Sequence, residues 1–189
     1  MSDKTDLTVV IADYFFITVY KNDDEEIERK WLINDIPNYI LKRTTCMPYI
    51  QIKQKYLAIN NVEEIRIREL KTYRKYTLMD GKYYIGVKRG SGLVREEKRL
   101  PILKHTFNDL NSSNNDIPIM KTRYQYDWKF GLITIDQYLN GDVEMVAEVE
   151  FNSEKEANNF VEPDWFGKEV TDDSYYKNKN IFKRLNGWN

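Results

Sequence analysis

Apolar residues in this chain fall mostly at alternate positions, in short runs bounded by turn-forming residues. Alternation places successive side chains on opposite faces of an extended strand, and β-branched and aromatic residues suit that geometry. The pattern predicts strands at Glu26–Ile33, Ile50–Leu57, Glu63–Leu70, Tyr73–Met79, Lys82–Arg89, Leu93–Leu100, Met120–Asp127, Leu132–Tyr138 and Val143–Phe151. Asp80-Gly81 lies between two of these runs and predicts a tight hairpin, and Gly90-Ser91-Gly92 predicts a second turn. Val9–Tyr20, ahead of the first strand, is also rich in β-branched and aromatic residues.

Helical periodicity is thinner. It predicts turns of helix near Pro37–Arg43, Lys104–Leu110, Ser153–Phe160 and Ser174–Leu185. Ser153 followed three residues later by Glu156 is a capping-box pattern, which sets the start of the third. Asn108–Asp116 is polar and asparagine-rich and reads as a surface loop. With no internal repeat and no linker composition, the expectation is one domain over residues 25–189, preceded by an extension at 1–24. The class is mainly β (α+β), a barrel or sandwich of antiparallel strands with a few helices.

Composition narrows the chemistry. At 189 residues and 41% apolar the chain can build one genuine core. Its 29 basic and 30 acidic residues nearly cancel, so nucleic acid and anionic membrane are not expected as partners, and any anion site must be local. No apolar run reaches the roughly 20 residues that span a bilayer. Val9–Tyr20 is interrupted by Asp13 and lacks the flanks of a signal peptide, so a cytoplasmic location is expected. The single Cys46 excludes an internal disulfide and reads as a small buried residue. The single His105 excludes a histidine zinc site and falls at the start of a short helix, as a surface or capping residue. Acid and base work in such a chain falls to carboxylates, lysines, tyrosines or metal-bound water.

The charged positions share faces. On one side of the first strand lie Glu26, Glu28 and Lys30, with Ile27 and Trp31 on the other. Arg66 and Arg68 stand against Ile65 and Ile67, Glu148 and Glu150 against Val149 and Phe151, and Lys121 pairs with Arg123. Any one of these is an ordinary strand with its charges in water. Four together, sorted into acidic pairs on two strands and basic pairs on two others, suggest a binding site. Paired carboxylates repel unless a cation sits between them, and hard oxygen pairs suit Mg²⁺ or Mn²⁺. Paired arginines suit phosphate oxygens, which they bind as forks.

These residues, in order, resemble a known family. Glu26-Ile27-Glu28-Arg29-Lys30 is similar to the ExExK signature of the CYTH, or triphosphate tunnel metalloenzyme, superfamily. The likeness continues through Gln54-Lys55-Tyr56-Leu57, Glu64–Arg68, Lys88, Arg95-Glu96-Glu97, Lys121-Thr122-Arg123-Tyr124, Asp136 and Glu148-Val149-Glu150-Phe151. It runs on through Pro163–Thr171 to Tyr176-Lys177-Asn178, and so covers most of the chain.

The resemblance, nearest to the short bacterial inorganic triphosphatases, implies an eight-stranded antiparallel β-barrel forming a tunnel. Its charged side chains would point inward and its helices pack outside, with the C-terminal helix closing one mouth. It implies that Glu26, Glu28, Glu148 and Glu150, with Asp136 and Glu97, hold two divalent metals, Mg²⁺ or Mn²⁺. Lys30, Arg66, Arg68, Lys88, Lys121 and Arg123 would grip the phosphates, with Glu28, Lys88 and Lys121 closest to catalysis. The implied activity is metal-dependent hydrolysis of tripolyphosphate to pyrophosphate and phosphate. Alternatives are a class IV type adenylyl cyclase, a nucleotide or thiamine triphosphatase, or a non-catalytic polyphosphate- or nucleotide-binding module. Two departures stand out: Arg99 where members of the family often carry a second acid, and a Thr72–Lys82 hairpin longer than usual. Leu7–Tyr20 reads as an added strand or an oligomer contact, a homodimer being the simplest case.

Overall fold

In the computed structural model, the described residues are 26–38, 40, 48–90, 94–128 and 131–188. The extension, Cys46 and most of the predicted Pro37–Arg43 helix lie outside them. Eight strands are formed: β1 (Glu26–Leu32), β2 (Tyr49–Ile59), β3 (Glu63–Arg74), β4 (Thr77–Arg89), β5 (Val94–Pro101), β6 (Ile119–Trp128), β7 (Gly131–Tyr138) and β8 (Met145–Phe151). They close into a barrel in the order β1-β5-β4-β3-β2-β6-β7-β8, every neighbouring pair antiparallel. Three helices accompany it: α1 (Lys104–Asn111), α2 (Glu154–Asn159) and α3 (Asn178–Asn186), the last preceded by a 3₁₀ turn at Ser174–Tyr176. None is long and apolar enough to cross a membrane.

The nine expected strands become eight because the β3–β4 turn is not at Asp80-Gly81. Those two residues pair within the ladder, opposite Thr72 and Lys71. The chain reverses at Lys75-Tyr76, both with positive φ (46° and 68°), so Tyr73–Met79 is split between the end of β3 and the start of β4. Two successive left-handed residues form the turn whose twist matches a hairpin. A bulge at Thr72/Tyr73 shifts the register to suit it. At the β4–β5 turn only Gly90, at φ 90°, falls among the described residues.

The outward-facing residues of β1, β7 and β8 make the main core: Ile27, Trp31, Ile133, Ile135, Ala147, Val149 and Phe151, packed with Ala157 and Phe160. Each large apolar side chain covered this way contributes on the order of 2 kcal/mol. Trp31, 1% exposed, meets the rings of Phe166 at 4.9 Å and Phe160 at 5.5 Å. Trp165 and Phe166 are therefore packing residues. α2 starts where its capping-box pattern places it: Ser153 Oγ accepts from the Glu156 amide at 3.2 Å, while the Glu156 carboxylate reaches one residue further back and accepts from the Asn152 amide at 2.9 Å.

The β1–β5 seam is short, with two register pairs, Glu26↔Arg95 and Ile27↔Val94. The remaining edge of β1 is covered by residues 167–170. The Gly167 amide donates to the Leu32 carbonyl at 2.8 Å, Leu32 donates to the Lys168 carbonyl at 2.9 Å, and Val170 to that of Lys30 at 2.8 Å. Glycine is required at 167 because a Cβ there would stand 2.8 Å from the Leu32 carbonyl oxygen.

Inward-facing residues at one end of the barrel are apolar. Tyr56, Ile119, Tyr138 and Val146 pack against Ile181 and Phe182 of α3. Phe182 lies 5.3 Å from the Tyr56 ring and, edge-on, 5.3 Å from Trp188, so the C-terminal helix plugs this mouth. α1 runs to Asn111, so the predicted Asn108–Asp116 loop begins later, after the helix. There the buried Lys55 Nζ donates to the carbonyls of Asn111 (2.7 Å) and Asn114 (2.9 Å). His105 is exposed on α1.

Candidate active site

Beyond the apolar plug the barrel interior is charged and partly open to solvent. Strand parity puts the charges there. Glu28 and Lys30 face inward from β1, Glu64, Arg66 and Arg68 from β3, Lys88 from β4, Arg99 from β5, Arg123 from β6, and Glu148 and Glu150 from β8. Lys177, Asn178 and Lys179 complete the lining from the start of α3. Eight cationic side chains thus meet four carboxylates among the described lining residues. Three more charges stand directly behind the lining: Lys121, Asp136 and Glu97.

These groups form two ion-pair centres. Around Asp136, with no exposed surface, Arg123 binds both carboxylate oxygens (Nε at 2.7 Å, Nη2 at 2.8 Å) and Lys121 binds one of them. Arg123 Nη2 also reaches Glu148 at 3.2 Å, and Glu148 takes Lys30 at 2.7 Å. Around Glu97, Arg66 and Arg99 donate to the same oxygen at 2.7 and 2.9 Å, with Lys88 at 3.6 Å and Arg68 at 3.7 Å. Arg68 in turn donates from Nε to Gln54 at 2.7 Å, and the buried Gln54 amide donates to the Tyr56 hydroxyl at 3.1 Å.

The electrostatics follow from this crowding. Burial alone would push the three interior carboxyls up. Instead Arg66, Arg68, Lys88 and Arg99 hold Glu97 well below the ordinary carboxylate range, and Lys30, Lys121 and Arg123 do the same for Glu148. Arg123 and Lys121 likewise keep Asp136 low. Burial pushes Lys121 down to about 8 despite Asp136 beside it. Burial, reinforced by Arg66, Arg99 and Arg123, lowers Arg68, whereas at Arg66 and Arg123 the neighbouring carboxylates outweigh burial and the shift is upward. Arg68 thus marks the place where cations outnumber counter-ions.

The expected site residues converge. Glu28, Lys30, Arg66, Arg68, Lys88, Arg123, Glu148 and Glu150 line the lumen; behind it Asp136 contacts Arg123, Glu97 contacts Arg66, and Lys121 contacts Asp136. Glu26 has its backbone in β1, and its side chain lies outside the described residues. Glu64 could have been read from its parity with Arg66. Lys177 and Lys179 could not, because strand alternation says nothing about a helix end folded back over the barrel. With Arg99 they replace the balance of six expected bases against six expected acids by an excess of cations among the described lining residues.

A metal fits one part of this lumen. Glu28 and Glu150 are direct cross-strand partners on β1 and β8, and Glu148 lies two residues from Glu150 on the same face. Like charges opposed across strands are destabilising unless a cation lies between them. Among the described residues no group of three His, Cys, Asp or Glu forms a ready cage. A hard divalent ion held here would take one or two carboxylates and complete its shell with water and phosphate oxygens. Asp136, Glu97 and Glu148 are each engaged by two or more cationic side chains, so Glu148 would exchange Lys30 or Arg123 for an ion.

Comparison with known proteins agrees with the architecture. No family model matches the chain. It is 32% identical over 159 residues to an inorganic triphosphatase of Nitrosomonas europaea, covering 82% of this chain and 95% of the relative. To an inorganic triphosphatase of Acetivibrio thermocellus it is 26% identical over 162 residues, covering 84% and 94%. A crystal structure of the inorganic triphosphatase NE1496 superposes with a TM-score of 0.55 at 29% identity, over 82% of this chain and 93% of that one. With the eight-stranded barrel and its charged lumen, this places the chain in the CYTH, or triphosphate tunnel, superfamily as a hydrolase related to the inorganic triphosphatases.

Proposed function

We propose that the lumen hydrolyses linear tripolyphosphate to pyrophosphate and orthophosphate, with Mg²⁺ or Mn²⁺ as cofactor. The observation that carries this reading is the excess of lysine and arginine over carboxylate inside an enclosed barrel. Such a cluster is costly to bury and is neutralised by a polyanion threaded among the side chains. The inorganic triphosphatase relatives support the same substrate class.

Phosphoryl transfer asks the protein mainly to position the chain and to stabilise charge on its oxygens. Arg66, Arg68 and Arg123, already oriented by Glu97, Gln54, Asp136 and Glu148, bind the phosphates as preorganised forks. Lys30 and Lys88 place point charges along the lumen and Lys121 one directly behind it, Lys88 and Lys121 toward the group that departs as pyrophosphate. Glu28, Glu148 and Glu150, with Glu26, supply the divalent-ion ligands, and Asp136 and Glu97 chiefly orient the cations around them. When bound, the ion polarises phosphate oxygens and lowers the pKa of a coordinated water. The α3 plug excludes bulk water from one end and so strengthens each of these interactions.

The decisive assay offers purified protein tripolyphosphate, ATP and thiamine triphosphate with Mg²⁺ and then Mn²⁺, and scores orthophosphate, pyrophosphate and cyclic AMP separately. Equal release of orthophosphate and pyrophosphate from tripolyphosphate, lost on chelation, is the expected result. Cyclic AMP from ATP, or binding of tripolyphosphate with no turnover, overturns it in favour of a cyclase or a binding module.

A further inference from the structure

Three inward positions lie in one row across β3, β4 and β5: Arg66, Gly86 and Arg99, with Gly86 the Cα partner of both arginines. A glycine in the middle leaves a gap, since a Cβ there would come within 3.8 Å of Arg66 Cγ and any larger side chain would fill the space. Through that gap the two guanidiniums converge on one Glu97 oxygen, Arg66 at 2.7 Å and Arg99 at 2.9 Å, while Lys88 and Arg68 approach at 3.6 and 3.7 Å. Glu97 faces four cations, and with Glu64 also inward on β3 this wall of the lumen carries a surplus of about two positive charges. Arg99 keeps 25% of its side chain accessible and lines the lumen.

We propose that Arg99 is a substrate-contacting, specificity-determining residue, which with Arg66 binds a phosphate group of the bound chain directly at the β3–β4–β5 wall. The assignment rests on the triphosphate reading above and extends it to a residue outside the expected phosphate grip. Glu97 holds the two guanidiniums side by side, and a planar donor so fixed donates to phosphate oxygens with little loss of rotamer freedom. This wall then needs no divalent ion, and the metal requirement is confined to the Glu28–Glu150 side.

The test measures tripolyphosphate binding by calorimetry, with Mg²⁺ and in excess chelator, alongside steady-state hydrolysis, for the wild type, Arg99→Ala, Arg99→Lys and Arg99→Glu. Arg99→Ala is expected to weaken binding about tenfold in both ionic conditions and to raise KM more than it lowers kcat. Arg99→Lys, which keeps the charge and loses the fork, recovers only part of the affinity. Arg99→Glu weakens binding by more than 100-fold in chelator and makes it steeply dependent on divalent ion. Unchanged affinity and KM in both Arg99→Ala and Arg99→Lys overturn the proposal, whatever their melting temperatures. If the wild type binds tripolyphosphate without hydrolysing it and Arg99→Ala still weakens binding, the catalytic reading falls and the Arg99 assignment stands.

Discussion

Arg123 holds Asp136 with one edge of its guanidinium, Nε at 2.7 Å and Nη2 at 2.8 Å, on a carboxylate that has no solvent-exposed surface. The same guanidinium reaches Glu148 at 3.2 Å, so one side chain joins β6 to β7 and β8 across the lumen wall. A buried carboxylate that loses its fork is left with an uncompensated charge, and Lys121 alone offsets only part of it. Arg123→Ala should therefore lower unfolding free energy by about 3 kcal/mol. The substitution should also reduce kcat/KM for tripolyphosphate by at least roughly 100-fold. Denaturant midpoints and initial rates on the same preparation read both; a variant as stable as the wild type would contradict the role given to this pair.

Glu28 and Glu150 are two carboxylates directly across from each other on β1 and β8, with Lys88 3.9 Å from Glu28. Glu150→Gln removes one of the two like charges. Metal-free protein should then be as stable as the wild type, or more so by a few tenths of a kcal/mol. The rise in melting temperature on adding Mg²⁺ or Mn²⁺ should shrink, because the ion stabilises only the state that binds it. Thermal unfolding with and without chelator measures this, and an undiminished metal-induced rise in the variant would remove Glu150 from the ligand set.

Much of this lumen was legible in the sequence because a strand sorts its side chains by parity. Once Ile27 and Trp31 are assigned to the apolar face, Glu28 and Lys30 must share the other, and the same logic paired Arg66 with Arg68 and Glu148 with Glu150. What parity could not show was which charges touch. Asp136 was expected among the metal ligands, yet the fold sets it against Arg123 and Lys121, a contact fixed by the β6–β7 register. The β3–β4 hairpin was misplaced for a related reason. Asp-Gly is a strong turn signal, but the ladder continues through it and the chain turns at two residues with no such preference. Lys177 and Lys179 entered the lumen through tertiary packing of α3, which leaves no periodic trace.

The C-terminal plug carries a second ion-pair site, away from the phosphate grip. Asp142 accepts from Arg184 at 2.7 and 2.9 Å and from the Tyr175 hydroxyl at 2.7 Å, and the Arg184 hydrogen bonds, foremost, hold its carboxyl down at about 2. A carboxyl lower in the folded than in the unfolded state stabilises the fold above about pH 4, and that contribution drains away as pH falls toward 2. With the Asp142 side chain 41% exposed, solvent screening limits the effect to about 1 kcal/mol. The stability difference between the wild type and Asp142→Asn should be present at pH 7, narrow from about pH 4 and close as pH falls through about 2. Urea titrations across that range check it, and a gap that persists at the acid end would show that the carboxylate charge is not its source.

The Lys75-Tyr76 turn offers a gain rather than a loss. Both residues occupy left-handed backbone, at φ 46° and 68°, where a side chain with a Cβ costs roughly 1–2 kcal/mol each. Tyr76 is 90% exposed, so its ring contributes little packing to offset that cost. Asparagine and glycine adopt these angles readily and favour this two-residue hairpin. Replacing the pair by Asn-Gly should raise unfolding free energy by about 1–2 kcal/mol, visible as a higher melting temperature. Neither residue lines the lumen, so kcat/KM for tripolyphosphate should stay within twofold of the wild type. A stabilised variant with unchanged kinetics separates the hairpin tip from the site; one that loses stability would mean that the Lys75 or Tyr76 side chain makes contacts worth more than the strain it imposes on the turn.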